Sequence, residues 1–192
     1  MGVDIYGRAP KLRYAKPEKE WAELETEEEK REYFDELEKF EDDNPGYYFR
    51  SNWWGWRPIL LLSEVARDNA QLDFDTEGWG ENSGFGLKDG FQCLQLANAL
   101  EHLLAFVVEE ENLKDEDDSV YINLGSWSKE GGGWVDEKIQ DSLNEDWPYG
   151  SVRFTKLVGE DGNLYHPTHS SPVWHIKKWI SFLKECGGFE IY

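Results

Sequence analysis

Polar and apolar residues alternate over residues 2–6, GVDIY, which predicts a short strand with Val3 and Ile5 on one face. Gly7 and Pro10 end it. The last four residues, Phe189-Glu190-Ile191-Tyr192, alternate in the same way. Both ends therefore predict an Ile-Tyr strand, and we expect the two strands in one small sheet. Between them the period changes. Tyr33, Phe34, Leu37 and Phe40 recur at helical spacing, and Thr26 with Glu29 fits a capping box. The spacing predicts a helix over about 26–42, with a ring-rich face and a strongly acidic outer face, stopped by Asn44-Pro45-Gly46. Pro58 suits the first turn of a second helix, in which Leu60, Leu61 and Val65 are expected in the core.

The longest stripe runs over 88–112. Phe91, Leu94, Ala97, Leu100, Leu103, Leu104 and Val107 predict a central helix packed on more than one side. Val120 to Leu124 alternates as a strand. Trp134 to Trp147 reads as a short helix. Ser151 to Val158 and Leu164-Tyr165 flank a five-residue turn and predict a hairpin. A last helix is expected with Ser171 as cap and Pro172 at its first position, an apolar stripe of Val173, Ile176, Trp179, Ile180 and Leu183, and Gly187-Gly188 as its C-cap. No repeat and no low-complexity linker interrupts the chain. The fold class expected is α+β: a single domain over 1–192, with three to four main helices on a small, mostly antiparallel sheet that includes both termini.

Composition adds charge and rings. The 192 residues hold 40 acidic and 20 basic side chains, a net charge of −20, and 10 Trp. Residues 18–43 alone carry 14 Asp/Glu against 4 Lys/Arg, a net −10. Phosphate binding needs a positive surface, so non-specific nucleic-acid binding is not expected. Imitation of DNA would require carboxylates spaced like duplex phosphates. The two cysteines, Cys93 and Cys186, cannot build a disulfide framework and are expected as buried thiols on helices. With no secretory leader and no apolar run near the ~20 residues of a membrane span, the expected compartment is the cytoplasm, with no membrane partner.

Chemistry concentrates in Tyr47 to Pro58, YYFRSNWWGWRP, where six of twelve residues are aromatic and two are Arg. A buried Arg needs partners, so Arg50 and Arg57 are paired, stacked on rings, or facing a pocket. Rings, guanidinium groups and the Asn52 amide are the ingredients for holding a polar or anionic small ligand. A ring-rich lead into the following helix, with both Arg paired to nearby acids, explains the same residues. His166, His169 and His175 fit no strong zinc spacing, and no metal or cofactor is expected. The Gly-rich loop 72–87 lacks the Lys and Ser/Thr of a phosphate loop. No nucleophile elbow is present, so catalysis rests only on loop carboxylates such as Asp75, Glu77 and Glu81 and on His166, His169 and His175.

The opening MGVDIYG, the block YYFRSNWWGWRPIL, the loop GWGENSGFGL and the end CGGFEIY together resemble a family of small uncharacterised bacterial and phage proteins. These open with an M-G-x-D-x-Y-G stretch, carry a Tyr-Phe-Arg-x-Asn-x-Trp-x-Trp-Arg-Pro block, and end in Gly-Gly-Phe. The family has no established activity. The resemblance implies that Asp4, Tyr6, Arg50, Asn52, Trp54, Trp56, Arg57 and Asn82 belong together in space. It leaves residues 18–43 and much of 113–165 unmatched, as insertions, the first of them an acidic helical insertion at the periphery. Its members carry a His-Tyr-Asn-type run where this chain has Gly78 to Asn82, so histidine chemistry at that loop is not implied here.

Two functions are therefore expected in order. The first is binding of a small polar or anionic ligand at a site lined by Arg50, Asn52, Trp53, Trp54, Trp56, Arg57 and Asn82. The second is an acidic interaction module, of phage or mobile-element origin, whose 18–43 helix docks on a basic protein. An enzyme ranks last.

Overall fold

A computed structural model describes residues 2–17, 21–82, 84–110, 113–121, 123–124, 152–153, 157–158, 164–165 and 170–192. The helix expected over 134–147 and the histidines His166 and His169 lie outside the described residues. Strand β1 (Gly2–Gly7) leads through a single 3-10 turn (Trp21–Glu23) to helix α1 (Glu27–Asp43). Strand β2 (Tyr48–Asn52) runs directly into α2 (Trp53–Asn69), and α3 (Gly90–Glu110) follows. Short strands come next: β3 (Ser119–Tyr121), β4 (Asn123–Leu124), β5 (Val152–Arg153), β6 (Leu157–Val158), β7 (Leu164–Tyr165) and β8 (Ser170–Pro172). Helix α4 (Val173–Glu185) and β9 (Phe189–Ile191) close the chain.

The expected α+β architecture is present. Among the described residues, four helices accompany an antiparallel sheet in the order β2-β1-β9, which joins both termini. Alternation sorts its side chains. Val3, Ile5, Phe49, Phe189 and Ile191 are buried in the core that the helices build, while Asp4, Tyr6, Arg50 and Glu190 occupy the alternate positions. The end of the Gly-rich loop extends the sheet beyond β9: Gly84 N donates to Ile191 O at 2.8 Å, Ile191 N to Phe85 O at 2.9 Å, and Phe189 N to Leu87 O at 2.7 Å. The two described arms of the expected hairpin pair antiparallel, with Val158 opposite Leu164.

Helix α3 is central, packed against both α2 and α4. By length and composition Gly90–Glu109 could cross a membrane, with a mean hydropathy of 1.3; the sequence reading that no run approaches that length needs this correction. Here its apolar side is occupied by core, through Cys93, Leu96, Ala97, Leu100, Leu103, Leu104 and Val107. That inward set also corrects the phase of the stripe. Phe91 and Leu94 were expected inside and are exposed, Phe91 by 65%. They share the outer face with Asn98, Glu101 and Ala105, because 91, 94, 98, 101 and 105 follow the same 3–4 spacing one step out of register.

Two helix starts differ from expectation. Helix α2 begins at Trp53, not at Pro58, because the Asn52 side chain accepts from Gly55 N at 2.7 Å and caps it. Pro58 therefore sits inside the helix. The carbonyl deprived of its helical donor belongs to Trp54, a solvent-exposed residue, which limits the cost. Within α2, Trp56, Ile59, Leu62, Val65 and Ala66 are buried in the apolar core, while Leu60 and Leu61 pack partly buried against it. Ser171 does not cap α4. It pairs with Val120 between β8 and β3, and Pro172 is the N-cap. The first free amides of α4 are satisfied from a distance: Val173 N donates to Asp118 O at 2.9 Å and Trp174 N to Glu116 O at 3.0 Å. Gly187 supplies the expected C-terminal stop with φ of +63°.

Candidate functional site

The residues named from the sequence take up different roles. Trp56 is wholly buried, meets Trp179 edge-on at 5.2 Å, and donates from Nε1 to Trp79 O at 2.9 Å. It belongs to the core. Asn52 is a helix cap, which leaves its Oδ1 engaged by Gly55. Asn82 is exposed and its Nδ2 donates to Gly2 O at 3.2 Å, pinning the loop to the first strand. Trp53 packs partly buried against the core, with the Arg57 guanidinium 5.9 Å over its ring. Trp54 is 63% exposed. Arg50 extends from the outer face of β2 and pairs with Asp4 at 3.6 Å. So Arg50, Asn52, Trp54 and Arg57 reach the surface around the junction of β2 and α2, and Trp56 does not join them.

Asp4 and Tyr6 do share a face with Arg50, as the resemblance implies. Cross-strand register lays the outer face of the sheet out in rows. Tyr48, Tyr6 and Glu190 form one row. Arg50, Asp4 and Tyr192 form the next, with Asp4 and Tyr192 exchanging backbone hydrogen bonds at 2.8 and 2.7 Å. The Tyr6 ring lies 5.1 Å from Tyr48 and 6.1 Å from Tyr192. The Tyr48 hydroxyl donates to Asp4, and that of Tyr192 to Glu190 at 2.6 Å. Arg8 completes the surface by pairing with Glu190 at 2.7 Å. Burial, together with the bond to Asp4, pushes the Tyr48 phenol well above its ordinary range. Burial and the Asp4 charge raise Tyr6 as well. These phenols stay protonated, as donors and contact rings rather than nucleophiles. The sequence did not single out Tyr48, Tyr192 or Glu190 as site residues; the alternation of Asp4 and Tyr6 in β1 was the signal that could have found their rows.

His175 lies under the same junction. Its ring stacks on Phe49 at 5.1 Å, its Nε2–H donates to Arg50 O at 3.1 Å, and Nδ1 stands 3.5 Å from the Ser171 hydroxyl. A carbonyl partner requires the proton on Nε2, and burial disfavours a second proton on Nδ1. Burial lowers its pKa, the bond to Arg50 opposes this, and the Lys178 charge adds to the lowering. The unfolded ring takes its proton near pH 6.5, the folded ring only below it. The stability that His175 contributes is therefore complete above about pH 6.5 and is lost as pH falls through the folded value. An NMR titration of the His175 Cε1–H is expected to show a midpoint below 6.5; a midpoint at or above it would contradict this placement.

Cys93 and Cys186 are both buried, as expected. The neighbouring Cys186 thiol, together with burial, pushes Cys93 far above the ordinary thiol range. Cys93 is thus a core group and not a nucleophile.

The acidic segment behaves differently from the core helices. Thr26 and Glu29 form the expected capping box, with Glu29 N donating to Thr26 Oγ1 at 3.2 Å and Thr26 N to Glu29 Oε2 at 3.0 Å. Yet Phe40 is the one buried residue of all 17 in α1. It packs edge-on against Tyr47 at 4.9 Å. Farther up the helix, Tyr33 and Phe34 gather with Trp21 instead, at centroid distances of 4.9 to 6.2 Å. Phe34 remains 55% exposed and Trp21 47%. The expected ring-rich face is present, but for two turns nothing in the described core covers it. Asn44, fully buried, anchors the end of α1: its Oδ1 accepts from Arg13 N at 2.6 Å and Tyr14 N at 3.2 Å, and its Nδ2 donates to Phe40 O at 2.7 Å.

No family model matches this chain, and neither the curated proteins nor the solved structures compared with it contain a match.

Proposed function

We propose that the protein works by binding, and that its docking surface is the aromatic and acidic face of α1 for a basic partner. The observation that carries this reading is the cluster of exposed Trp21 and Phe34 with half-buried Tyr33 within the segment of net charge −10. Exposed rings rimmed by one sign of charge are the composition of an interaction site. The rings supply apolar anchors, and the carboxylates supply steering and select lysine or arginine. Lys30 already lies 5.8 Å from the Trp21 ring, which shows the geometry a partner cation would adopt.

A second reading, capture of a polar or anionic small ligand, is favoured by the exposure of Trp54 beside Arg57 and Arg50. One experiment separates the two. Binding of an amphipathic Lys/Leu peptide is measured by calorimetry at two salt concentrations. The first reading expects affinity that falls with salt, drops about tenfold or more in Phe34→Ala, and is lost when Glu32, Asp35 and Glu36 are changed to Lys. It expects no change in Arg50→Gln or Arg57→Gln. Binding that ignores the α1 variants, or a chain that binds no basic peptide, overturns it.

A further inference from the structure

A cleft of about 440 Å³ lies between the second half of α3 and α4, on a different part of the surface from the ring cluster of α1. Leu104, Ala105 and Val108 line its α3 side, and Val173 and Ile180 its α4 side. One end is closed by the turn that follows α3. That turn is held in place, since Lys114 N and Asp115 N both donate to the Asp118 carboxylate and its carbonyls cap α4. The cleft is thus preformed and does not depend on a loop folding over it.

Two ion pairs cross it. Lys177 reaches Glu116 at 2.7 Å near the closed end. Lys184 holds both carboxylate oxygens of Glu101 at 2.8 Å at the other. The lysines stand seven residues apart on one face of α4, roughly 10 Å along the axis. Between them Ala105 and Val108 reach the surface over a nearly buried floor of Leu104, Val173 and Ile180. The lining holds three lysines and three acids, so it is less repulsive to an anion than the two-to-one excess of acids over the whole chain. The grip of Lys184 on Glu101 shows that a carboxylate fits that ammonium. Being exposed, such a pair contributes only about 0–1 kcal/mol, so an incoming carboxylate exchanges with Glu101 at little cost.

We infer that this cleft binds a free amphipathic carboxylate, with an apolar chain roughly 10 Å long along Leu104, Val108 and Ile180 and its anionic head on Lys184. The volume falls in the range of small-molecule sites, and the lining has their usual make-up of apolar walls with few placed charges. The sequence signal is Val173, Lys177, Ile180 and Lys184, which recur at helical spacing along one face of α4.

Decanoate is the probe, titrated into the full chain and followed by amide NMR shifts. Saturable shifts are expected at Leu104, Val108 and Ile180. Ala105→Trp, at an exposed position facing the cleft, is expected to abolish them; Ser181→Trp on the opposite wall is the independent block should the first variant fold poorly. Lys184→Gln is expected to weaken binding about tenfold, and decanol, which lacks the charge, to bind about tenfold more weakly than decanoate. Absence of saturable shifts, or shifts that survive both tryptophan blocks, overturns the site. Equal affinity for decanol and decanoate, or no change in Lys184→Gln, overturns the anionic head.

Discussion

Trp56→Ala is expected to lower the unfolding free energy by about 3–5 kcal/mol, read as a shift of the urea midpoint. The indole is fully buried at the meeting point of three elements. It touches Trp179 at 5.2 Å and Phe49 at 6.4 Å between centroids, and its Nε1 satisfies Trp79 O. Truncation removes the transfer free energy of the ring, leaves a cavity among other rings that cannot collapse into it, and strips a buried carbonyl of its donor. Set against a total of about 5–15 kcal/mol, this approaches global unfolding. Trp54→Ala, two residues away and exposed, is expected to stay within about 0.5 kcal/mol. Equal losses in the two variants would refute the assignment of Trp56 to the core.

The second large effect is expected at Gly46. A Cβ there would lie 2.3 Å from Glu185 C, 2.4 Å from Glu185 O and 2.7 Å from Cys186 N. All three are backbone atoms at the end of α4, so no rotamer change relieves the clash. Gly7 crosses the same point, where an added Cβ would stand 2.1 Å from Gly46 O. Gly46→Ala must push β2 away from the end of α4, and we expect a loss of about 1–3 kcal/mol or more, as for overpacking generally. Gly84→Ala provides the control. Gly84 has φ of +79° with nothing within 4 Å of a new Cβ, so it should show only the backbone penalty of about 1–2 kcal/mol. Thermal denaturation in which Gly46→Ala is the milder of the two would contradict the close crossing.

Much of the fold was legible because local patterns and tertiary packing agreed. Alternation in GVDIY and FEIY placed both terminal strands, and Thr26 with Glu29 placed the start of α1 through a bond that is local by nature. The failures share a physical cause. Pro58 was taken for a first-turn residue because proline usually stands there; Asn52, which caps six residues earlier, had been assigned to ligand chemistry. Ser171 was taken for a cap, but the amides of α4 are satisfied by carbonyls at 116 and 118, more than fifty positions away in sequence, which no local signal announces. Phe91 and Leu94 looked like core because hydrophobicity was counted without the neighbours that decide phase. The candidate site follows the same division. The exposure of Arg50 and Trp54 depends on which way β2 faces once paired with β1, and the exposure of Phe34 on the lack, among the described residues, of a second layer over α1.

The central place of β1 sets the order of events in folding. β1 is made first, yet one of its two partners is β9, and the Arg8 to Phe189 contact beside it spans 181 positions. During synthesis β1 can zip only with β2, giving a two-stranded ribbon, which by itself is marginal in water. Closure of so long a loop carries a large entropic cost before any contact repays it. The helices α2, α3 and α4 bury most of their mutual surface through nearer contacts, so they are expected to assemble first, with the last strand sealing the sheet in the slowest step.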